Sequence, residues 1–138
     1  TEILNANLAV GTPVPAHCTG MGKAMMTYFP KAKLGQYLDS IDFKQLTPNT
    51  ITNRQVLMDE LLLIKKRGFA IDDEELALGI RCIAVPVWSS GEYPTYALSV
   101  AGPASRMTDE KISNIEKLLL KFGSSLSNRL SAKHNQAT

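Results

Sequence analysis

The chain has 138 residues, the size of a single domain, and 44% of them are hydrophobic. Its 15 Lys and Arg residues against 13 Asp and Glu give a net charge of +2, which argues against binding a nucleic-acid backbone by bulk charge. No apolar run approaches the roughly 20 residues that cross a bilayer, and no basic segment followed by an apolar stretch opens the chain. We therefore expect a cytoplasmic protein without a membrane partner.

Two cysteines and two histidines limit the metal and redox chemistry of the sequence. Cys18 and Cys82 form no CxxC pair, and together with His17 and His134 they give no familiar zinc-ligand spacing. Two reduced, partly buried thiols are the simplest interpretation. We expect no metal site and no cofactor. The chain also opens with Thr1 rather than Met, which indicates a fragment of a longer protein.

The first third of the chain predicts a strand and two helices. Residues 3–10 alternate weakly between apolar and polar side chains and predict a short strand before a Gly-Thr-Pro turn. The apolar spacing over residues 20–29 predicts a helix, with Thr19 as its N-cap and Pro30 as its end. A second short helix is predicted over residues 31–40.

A loop and a longer helix follow. Residues 42–51 are mostly polar and contain an internal proline, which predicts a loop. Thr52 and Gln55 have the spacing of a capping box, and the helix that they begin would run to Arg67. Gly68 then predicts a left-handed end of this helix. The face that we expect to be buried holds Leu57, Leu61 and Ile64.

After this helix the hydrophobic period changes from 3.6 to 2, which predicts strands. A short strand is expected at residues 69–71, and two longer ones at residues 80–88 and 93–100. Residues 89–92 have the form of a hairpin connection. Pro86 cannot donate a hydrogen bond to a neighbouring strand, so we expect a sheet edge or a bulge there.

The last predicted element is a long amphipathic helix. Thr108 is its expected N-cap, and Asp109 and Glu110 in its first turn suit the helix dipole. After Ala132 the polar tail is expected to be frayed. The order of strand, three helices, three strands and a helix predicts an α+β domain whose antiparallel sheet is covered by helices. The apolar positions that recur every three or four residues are Ile112, Ile115, Leu119, Phe122, Leu126 and Leu130.

Local motifs, taken singly, name no reaction. Residues 20–23 read GMGK, but a phosphate-binding loop needs Ser or Thr after the lysine and this chain has Ala24. The exposed N–H groups of this helix start could still take a small anion, although glycines that allow tight packing are the commoner explanation. The acidic run at residues 72–75 predicts a solvated corner rather than a metal site. His17 beside Cys18 is more typical of a packed or capping histidine than of a nucleophile pair.

Five segments in order are more specific than any one of them. Residues 10–24 read VGTPVPAHCTGMGKA, and residues 46–52 read LTPNTIT, close to a TxxTIT pattern. Residues 67–75 (RGFAIDDEE) fit RGYAxDxEE, residues 79–87 (GIRCIAVPV) fit G(V/L)RC(V/I)AVPV, and residues 97–103 read ALSVAGP. Together they resemble the C-terminal effector-binding domain of the IclR family of bacterial transcription regulators.

This resemblance implies a ligand sensor with an α+β fold, in which helices pack on a curved antiparallel sheet of the GAF/profilin-like kind. Residues 1–138 would form the effector-binding domain without its first strands, which would leave an exposed strand edge. The winged helix-turn-helix DNA-binding domain would lie outside this chain. The expected partners are a small carboxylic acid effector, further copies of the chain in a dimer or tetramer, and DNA only through the absent N-terminal domain.

The resemblance also places the ligand. By position it implies binding by the backbone N–H groups of Gly20 and Met21, and by Asp72, Cys82 and Ser99. Helix-end N–H groups suit a carboxylate, and Asp72 and Ser99 can bond to hydroxyl or carbonyl groups. Relatives that bind small oxo-acids carry a second serine where this chain has Ala101. We therefore expect a sugar acid, an aromatic acid or another small carboxylate rather than glyoxylate or pyruvate.

The leading hypothesis is a non-catalytic, effector-binding domain that modulates the DNA binding of a separate helix-turn-helix domain. One alternative is a small enzyme with Cys82 or Cys18 as nucleophile and His17 as its partner. A second alternative is an oligomerisation module whose pocket binds nothing.

Overall fold

The computed structural model describes residues 9–137, so the strand predicted at residues 3–10 lies almost wholly outside the described residues. A short 3-10 turn precedes the first helix and spans Ala16–Cys18. Three helices come first, namely α1 (Gly20–Met26), α2 (Lys31–Ser40) and α3 (Arg54–Arg67). Three strands and a long helix follow, namely β1 (Ala70–Asp73), β2 (Ile80–Val87), β3 (Tyr96–Pro103) and α4 (Asp109–Ala137). This order confirms the predicted α+β class.

The strands form one antiparallel sheet in the order β1-β2-β3. Asp72 lies opposite Cys82, which in turn lies opposite Ala101, so these residues form one row across the sheet. Ser99 lies opposite Ala84, two residues along each strand. Because successive side chains of a strand point to opposite faces, both rows project from the same face. Three predicted site residues thus share one side of the sheet.

Helices α1, α2 and α3 cover this face of the sheet. The core here is built from small and medium apolar side chains, which lets α1 lie close to β2. The Leu57, Leu61 and Ile64 stripe predicted for α3 is buried in it, which confirms that face of the helix. The buried residues of this core are Ala24, Met26, Leu38, Leu57, Leu61, Ile64, Ala70 and Ala84.

Helix α4 covers the opposite face. It packs on Ile83 and Val85 of β2 through Ile112 and Leu119. A Cβ atom added at Gly123 would lie 2.7 Å from Val85 Cγ2, far inside van der Waals contact. The close crossing of α4 over β2 therefore requires glycine at this position.

The sheet has an open edge near Pro86. Pairing of β1 with β2 extends only to Ala84, whereas β3 pairs with the full length of β2. Within residues 9–137, Pro86 therefore has a strand on one side alone. The predicted edge at Pro86 is confirmed, and the missing N–H group of proline costs no ladder bond on the open side.

The start of α3 differs from the prediction by one residue. Its N-cap is Asn53, whose Oδ1 accepts the N–H groups of Gln55 at 2.8 Å and Val56 at 3.2 Å. The predicted capping box at Thr52 is therefore wrong. Asparagine caps a helix as well as threonine does, and here the Asn53 side chain accepts the free N–H groups. The predicted left-handed end is confirmed, since Gly68 has a φ of 89°.

Helix α4 is longer than expected. Its N-cap is confirmed, because the Thr108 hydroxyl accepts the Lys111 N–H at 3.2 Å. The helix continues to Ala137, so the fraying expected after Ala132 is wrong for the described part of the tail. No helix within residues 9–137, α4 included, is long and apolar enough to cross a membrane. An exposed apolar stripe runs along α4 through Leu118, Phe122 and Leu126.

Candidate ligand-binding site

A cavity of about 290 Å³ lies between the start of α1, the acidic turn after β1 and the sheet. It is largely apolar, and Val14, Leu76, Ile80 and Ala101 form part of its wall. The structure brings all five residues of the predicted site together here. Those lining residues are Gly20, Met21, Asp72, Cys82 and Ser99.

The sheet supplies the floor of the cavity. The row of Asp72, Cys82 and Ala101 runs across all three strands, and Ser99 lies two residues before Ala101 on the same face. Asp72 and Cys82 are 4% and 8% exposed, so the polar atoms of the floor are largely removed from water. Ala101 lies directly opposite Cys82 on the edge strand β3, so this position of the floor carries a methyl group.

Helix α1 supplies the opposite wall. Thr19 caps the helix as predicted, since its hydroxyl accepts the Gly22 N–H at 3.1 Å. A Cβ atom at Gly20 would lie 3.2 Å from Ala84 Cβ and 3.3 Å from Cys82 Sγ. The missing side chain lets the backbone of α1 approach the floor closely, which confirms that the glycine serves tight packing. It also places Gly20 and Met21, the first two residues of the helix, in the cavity lining.

The acidic turn is held by its own side chains. Asp72 Oδ1 accepts the Glu75 N–H at 2.8 Å, and Glu74 Oε1 accepts the Gly79 N–H at 2.7 Å. Asp72 is 4% and Glu75 6% exposed, whereas the Asp73 side chain is 60% exposed. The predicted solvated corner is therefore wrong for half of the run. Two of the four carboxylates lie in the interior and fix the turn.

The loop before α3 clamps this turn from outside. The Thr50 hydroxyl donates to the Glu75 carbonyl and the Thr47 hydroxyl to the Glu74 carbonyl, each at 2.6 Å. Both threonines are buried and belong to the LTPNTIT segment. The predicted loop is therefore an ordered support for the carboxyl side of the cavity.

Sequence reasoning missed one charged residue at the site. Lys23 is 1% exposed, and its Nζ donates to the Glu75 carboxylate at 2.7 and 3.0 Å and to the Ile71 carbonyl at 2.7 Å. The only sequence signal was its place within a buried helix, one turn after Gly20. Its partners come from segments about 50 residues away, which local patterns do not reveal.

Among its described lining residues the cavity has one carboxyl group, that of Asp72, and no basic side chain. Burial is the main cause that raises the pKa of Asp72 to about 6, and the Glu75 carboxylate adds to the effect. Burial also raises the pKa of the Cys82 thiol to about 11, with the Asp72 charge adding to it. The site thus holds a titratable carboxyl group and a neutral thiol near pH 7.

His17 and Cys18 lie outside the lining of this cavity. The His17 Nε2 atom bonds to the Lys44 carbonyl at 3.2 Å, and the ring packs edge-on against Phe43. Burial raises the pKa of the Cys18 thiol to about 11, and its Sγ contacts the Pro15 carbonyl at 3.8 Å. This arrangement confirms the packed histidine and lacks the depressed thiol pKa that activates a cysteine nucleophile.

Comparison with known proteins gives the family. A family model described as the C-terminal part of the bacterial transcriptional regulator IclR matches residues 1–128. The HTH-type transcriptional regulator XynR of Escherichia coli strain K12 is 34% identical over 121 residues, which cover 88% of this chain and 48% of XynR. The chain thus spans about half the length of this curated relative.

Solved structures agree with this match. The crystal structure of the Thermotoga maritima IclR protein has a TM-score of 0.86 and 37% identity, covering 89% of this chain and 50% of that one. The inducer-binding domain of the Acinetobacter transcription factor PobR, described as a complex with 3-hydroxybenzoic acid, shares the fold at 23% identity and a TM-score of 0.73. That match covers 94% of this chain and 77% of the PobR chain. The chain belongs to the IclR family of bacterial transcriptional regulators and corresponds to its C-terminal domain.

Proposed function

We propose that this domain senses a small carboxylic acid and passes its presence to a DNA-binding domain elsewhere in a longer regulator. The observation that carries the proposal is the convergence of Gly20, Met21, Asp72, Cys82 and Ser99 on one cavity. A largely apolar cavity with a few convergent polar groups is the usual form of a small-molecule site. The matched relatives are transcriptional regulators and not enzymes, so we assign no catalytic residue here.

The two ends of the cavity suit different parts of a ligand. The N–H groups of Gly20 and Met21 can take a carboxylate at the α1 end. Asp72 is an acceptor when ionised and becomes a donor when protonated, so it suits a hydroxyl group or, below its pKa, a carbonyl group. Ala101 offers no hydroxyl group to a ligand, so we do not expect glyoxylate or pyruvate as the effector.

A hydroxylated acid fits this division. A sugar acid or an aromatic hydroxy-acid can place its carboxylate against α1 and its hydroxyl group against Asp72 and Ser99. The PobR domain, which shares only the fold with this chain, is described as a complex with an acid of this type. That complex supports the ligand class but no particular acid for this chain.

Signalling follows from differential affinity. An acid that binds one conformation of the domain more tightly shifts the population toward it, and a winged helix-turn-helix domain of the same regulator reads the shift in the cytoplasm. We propose that the domain works as a dimer or tetramer. Exposed apolar side chains on two helices support this, namely Leu118, Phe122 and Leu126 on α4 and Val56, Leu62 and Leu63 on α3.

A thermal-shift screen tests the proposed site. Small carboxylates are titrated against the wild type, Asp72→Ala and the matched control Asp73→Ala, whose side chain is largely exposed. A true effector stabilises the wild type and the control, and stabilises Asp72→Ala less. Equal stabilisation of all three would remove Asp72 from the site. A crystal soaked with the best acid should place its carboxylate at the Gly20 and Met21 amides, and density elsewhere would contradict that placement.

A further inference from the structure

A buried ion pair lies directly behind the acidic turn but outside the described lining of the cavity. Lys23 and Glu75 are 1% and 6% exposed, so neither charge is solvated. The ammonium group has three N–H donors, and the structure provides three acceptors. They are the two carboxylate oxygens of Glu75, at 3.0 and 2.7 Å, and the Ile71 carbonyl, at 2.7 Å. The Glu60 carboxylate of α3 lies further away, with Oε1 at 3.7 Å from Nζ.

These acceptors lie on both sides of Asp72 in the chain. The Ile71 carbonyl belongs to the peptide group that precedes Asp72, and the Glu75 N–H donates to Asp72 Oδ1 at 2.8 Å. Glu75 Oε2 also accepts the Asp73 N–H at 3.1 Å. The turn that carries Asp72 is therefore bonded to one ammonium group before and after that residue.

The same lysine belongs to α1, the helix whose first residues form the opposite wall. Lys23 lies in α1, one turn after Gly20, and its side chain crosses from that helix to the turn. The two ends of the cavity, the start of α1 and the Asp72 carboxylate, are thus joined through a single side chain. A buried pair of this kind is a weak source of net stability, but removing one partner leaves the other charge buried without compensation.

We propose that Lys23 is a positioning residue of the effector site, which holds the Asp72 carboxyl group in the cavity through Glu75 and the Ile71 carbonyl. Lys23 does not touch the ligand in this proposal. The name "effector site" rests on the proposed function, whereas the control of Asp72 by Lys23 does not.

The charges around Asp72 make the proposal measurable. The titratable groups that face it are Lys23 from α1, Glu75 from the turn, Cys82 from β2 and Cys18 from the 3-10 turn. Burial has the largest effect on the pKa of Asp72 and raises it. The Glu75 charge raises this pKa further, whereas the Lys23 charge lowers it. Removing one member of the pair should therefore move the Asp72 titration in a direction set by the charge that is lost.

The test is a carboxyl ¹³C NMR titration of Asp72 without any added acid. In Lys23→Met the midpoint should rise above the wild-type value of about 6, by about half a pH unit or more. In Glu75→Gln, which keeps an oxygen for the ammonium group, the midpoint should fall. The control Lys66→Met removes an equal charge from an exposed position of α3 and should leave the midpoint unchanged.

A second measurement separates positioning from general stability. Hydrogen exchange of the Glu75 amide, normalised to the buried Leu119 in α4, should become faster in Lys23→Met by about tenfold or more, because the Asp72 bond loosens locally. The proposal would be overturned if hydrogen exchange of the Glu75 and Leu119 amides changed by the same factor, or if the titration midpoint of Asp72 did not change. If Lys23→Met does not fold, the direction of the shift in Glu75→Gln decides alone. Since no ligand is present, failure of the carboxylate screen leaves this result intact.

Discussion

Asp72 and Cys82 are direct partners in the pairing of β1 with β2, and both side chains face the cavity beside α1. The pairing places a carboxyl group and a thiol at adjacent points of one buried floor. Burial raises the pKa of the Cys82 thiol and the Asp72 charge adds to it, because a second negative charge would be poorly solvated there. At neutral pH the floor therefore holds at most one anion, on Asp72.

The first prediction concerns Asp72 and pH. Its folded pKa of about 6 lies above the ordinary 3.8, so between these values the folded state binds more protons than the unfolded state, and stability falls as pH rises. Asp72→Asn keeps an oxygen for the Glu75 N–H and removes the charge. It should stabilise the protein by about 1–2 kcal/mol at pH 8 and by little at pH 4. Urea unfolding at both pH values measures this, and an equal gain at both would contradict the raised pKa.

The second prediction uses two glycines in opposite settings. Gly68 ends α3 with a φ of 89°, and a Cβ atom there would lie 3.3 Å from Leu120 Cδ2. Gly68→Ala should therefore destabilise the fold by about 1–2 kcal/mol. Gly35 lies inside α2 with nothing within 4 Å of an added Cβ atom, so Gly35→Ala should stabilise by about 0.5–1 kcal/mol. Thermal unfolding of the two variants should show shifts of opposite sign.

The third prediction concerns the cysteines. Burial raises the pKa values of Cys18 and Cys82 to about 11, so their thiolate fractions at pH 7.5 are about a hundredfold below those of ordinary thiols. Iodoacetamide should react with the folded protein at least about tenfold more slowly than with the urea-unfolded chain. Mass spectrometry counts the modified thiols over time. Rapid one-to-one alkylation of either cysteine in the folded protein would instead support the cysteine-enzyme alternative.

The fourth prediction concerns specificity. Ala101→Ser introduces a hydroxyl group opposite Cys82 on the cavity floor. One hydrogen bond of ordinary strength should increase the affinity for glyoxylate or pyruvate by about three- to tenfold. Ala97→Ser is the matched control, since Ala97 lies on the same strand and face, opposite Pro86 and outside the lining residues. Isothermal titration calorimetry of both variants checks this, and an equal gain in the control would argue against a role for position 101.

The elements with strong periodicity were predictable from the sequence. The buried face of α3 and the left-handed glycine after it follow from apolar spacing and one residue type. The family resemblance predicted more of the site, because it assigned Asp72, Cys82 and Ser99, which lie on three different strands, to one ligand site, and all three line one cavity. No local pattern could have done so, since strand pairing joins residues that are distant in the chain.

Other features depended on tertiary contacts. The choice of Asn53 over Thr52 as the cap of α3 was a competition between two good candidates. The burial of Lys23 depends on Glu75, whose carboxylate looked like part of a solvated corner. Charged side chains are almost never fully buried without a partner, so a sequence predicts them to be exposed unless the partner is known.

The close crossing at Gly123 gives α4 the geometry of a lever. Beyond this point the helix continues to Ala137, about four more turns or roughly 21 Å. A tilt of about 5° at the crossing would displace the far end by about 2 Å, whereas residues beside β2 would move very little. Small changes in how the sheet seats this helix are therefore magnified at its far end, well away from the cavity.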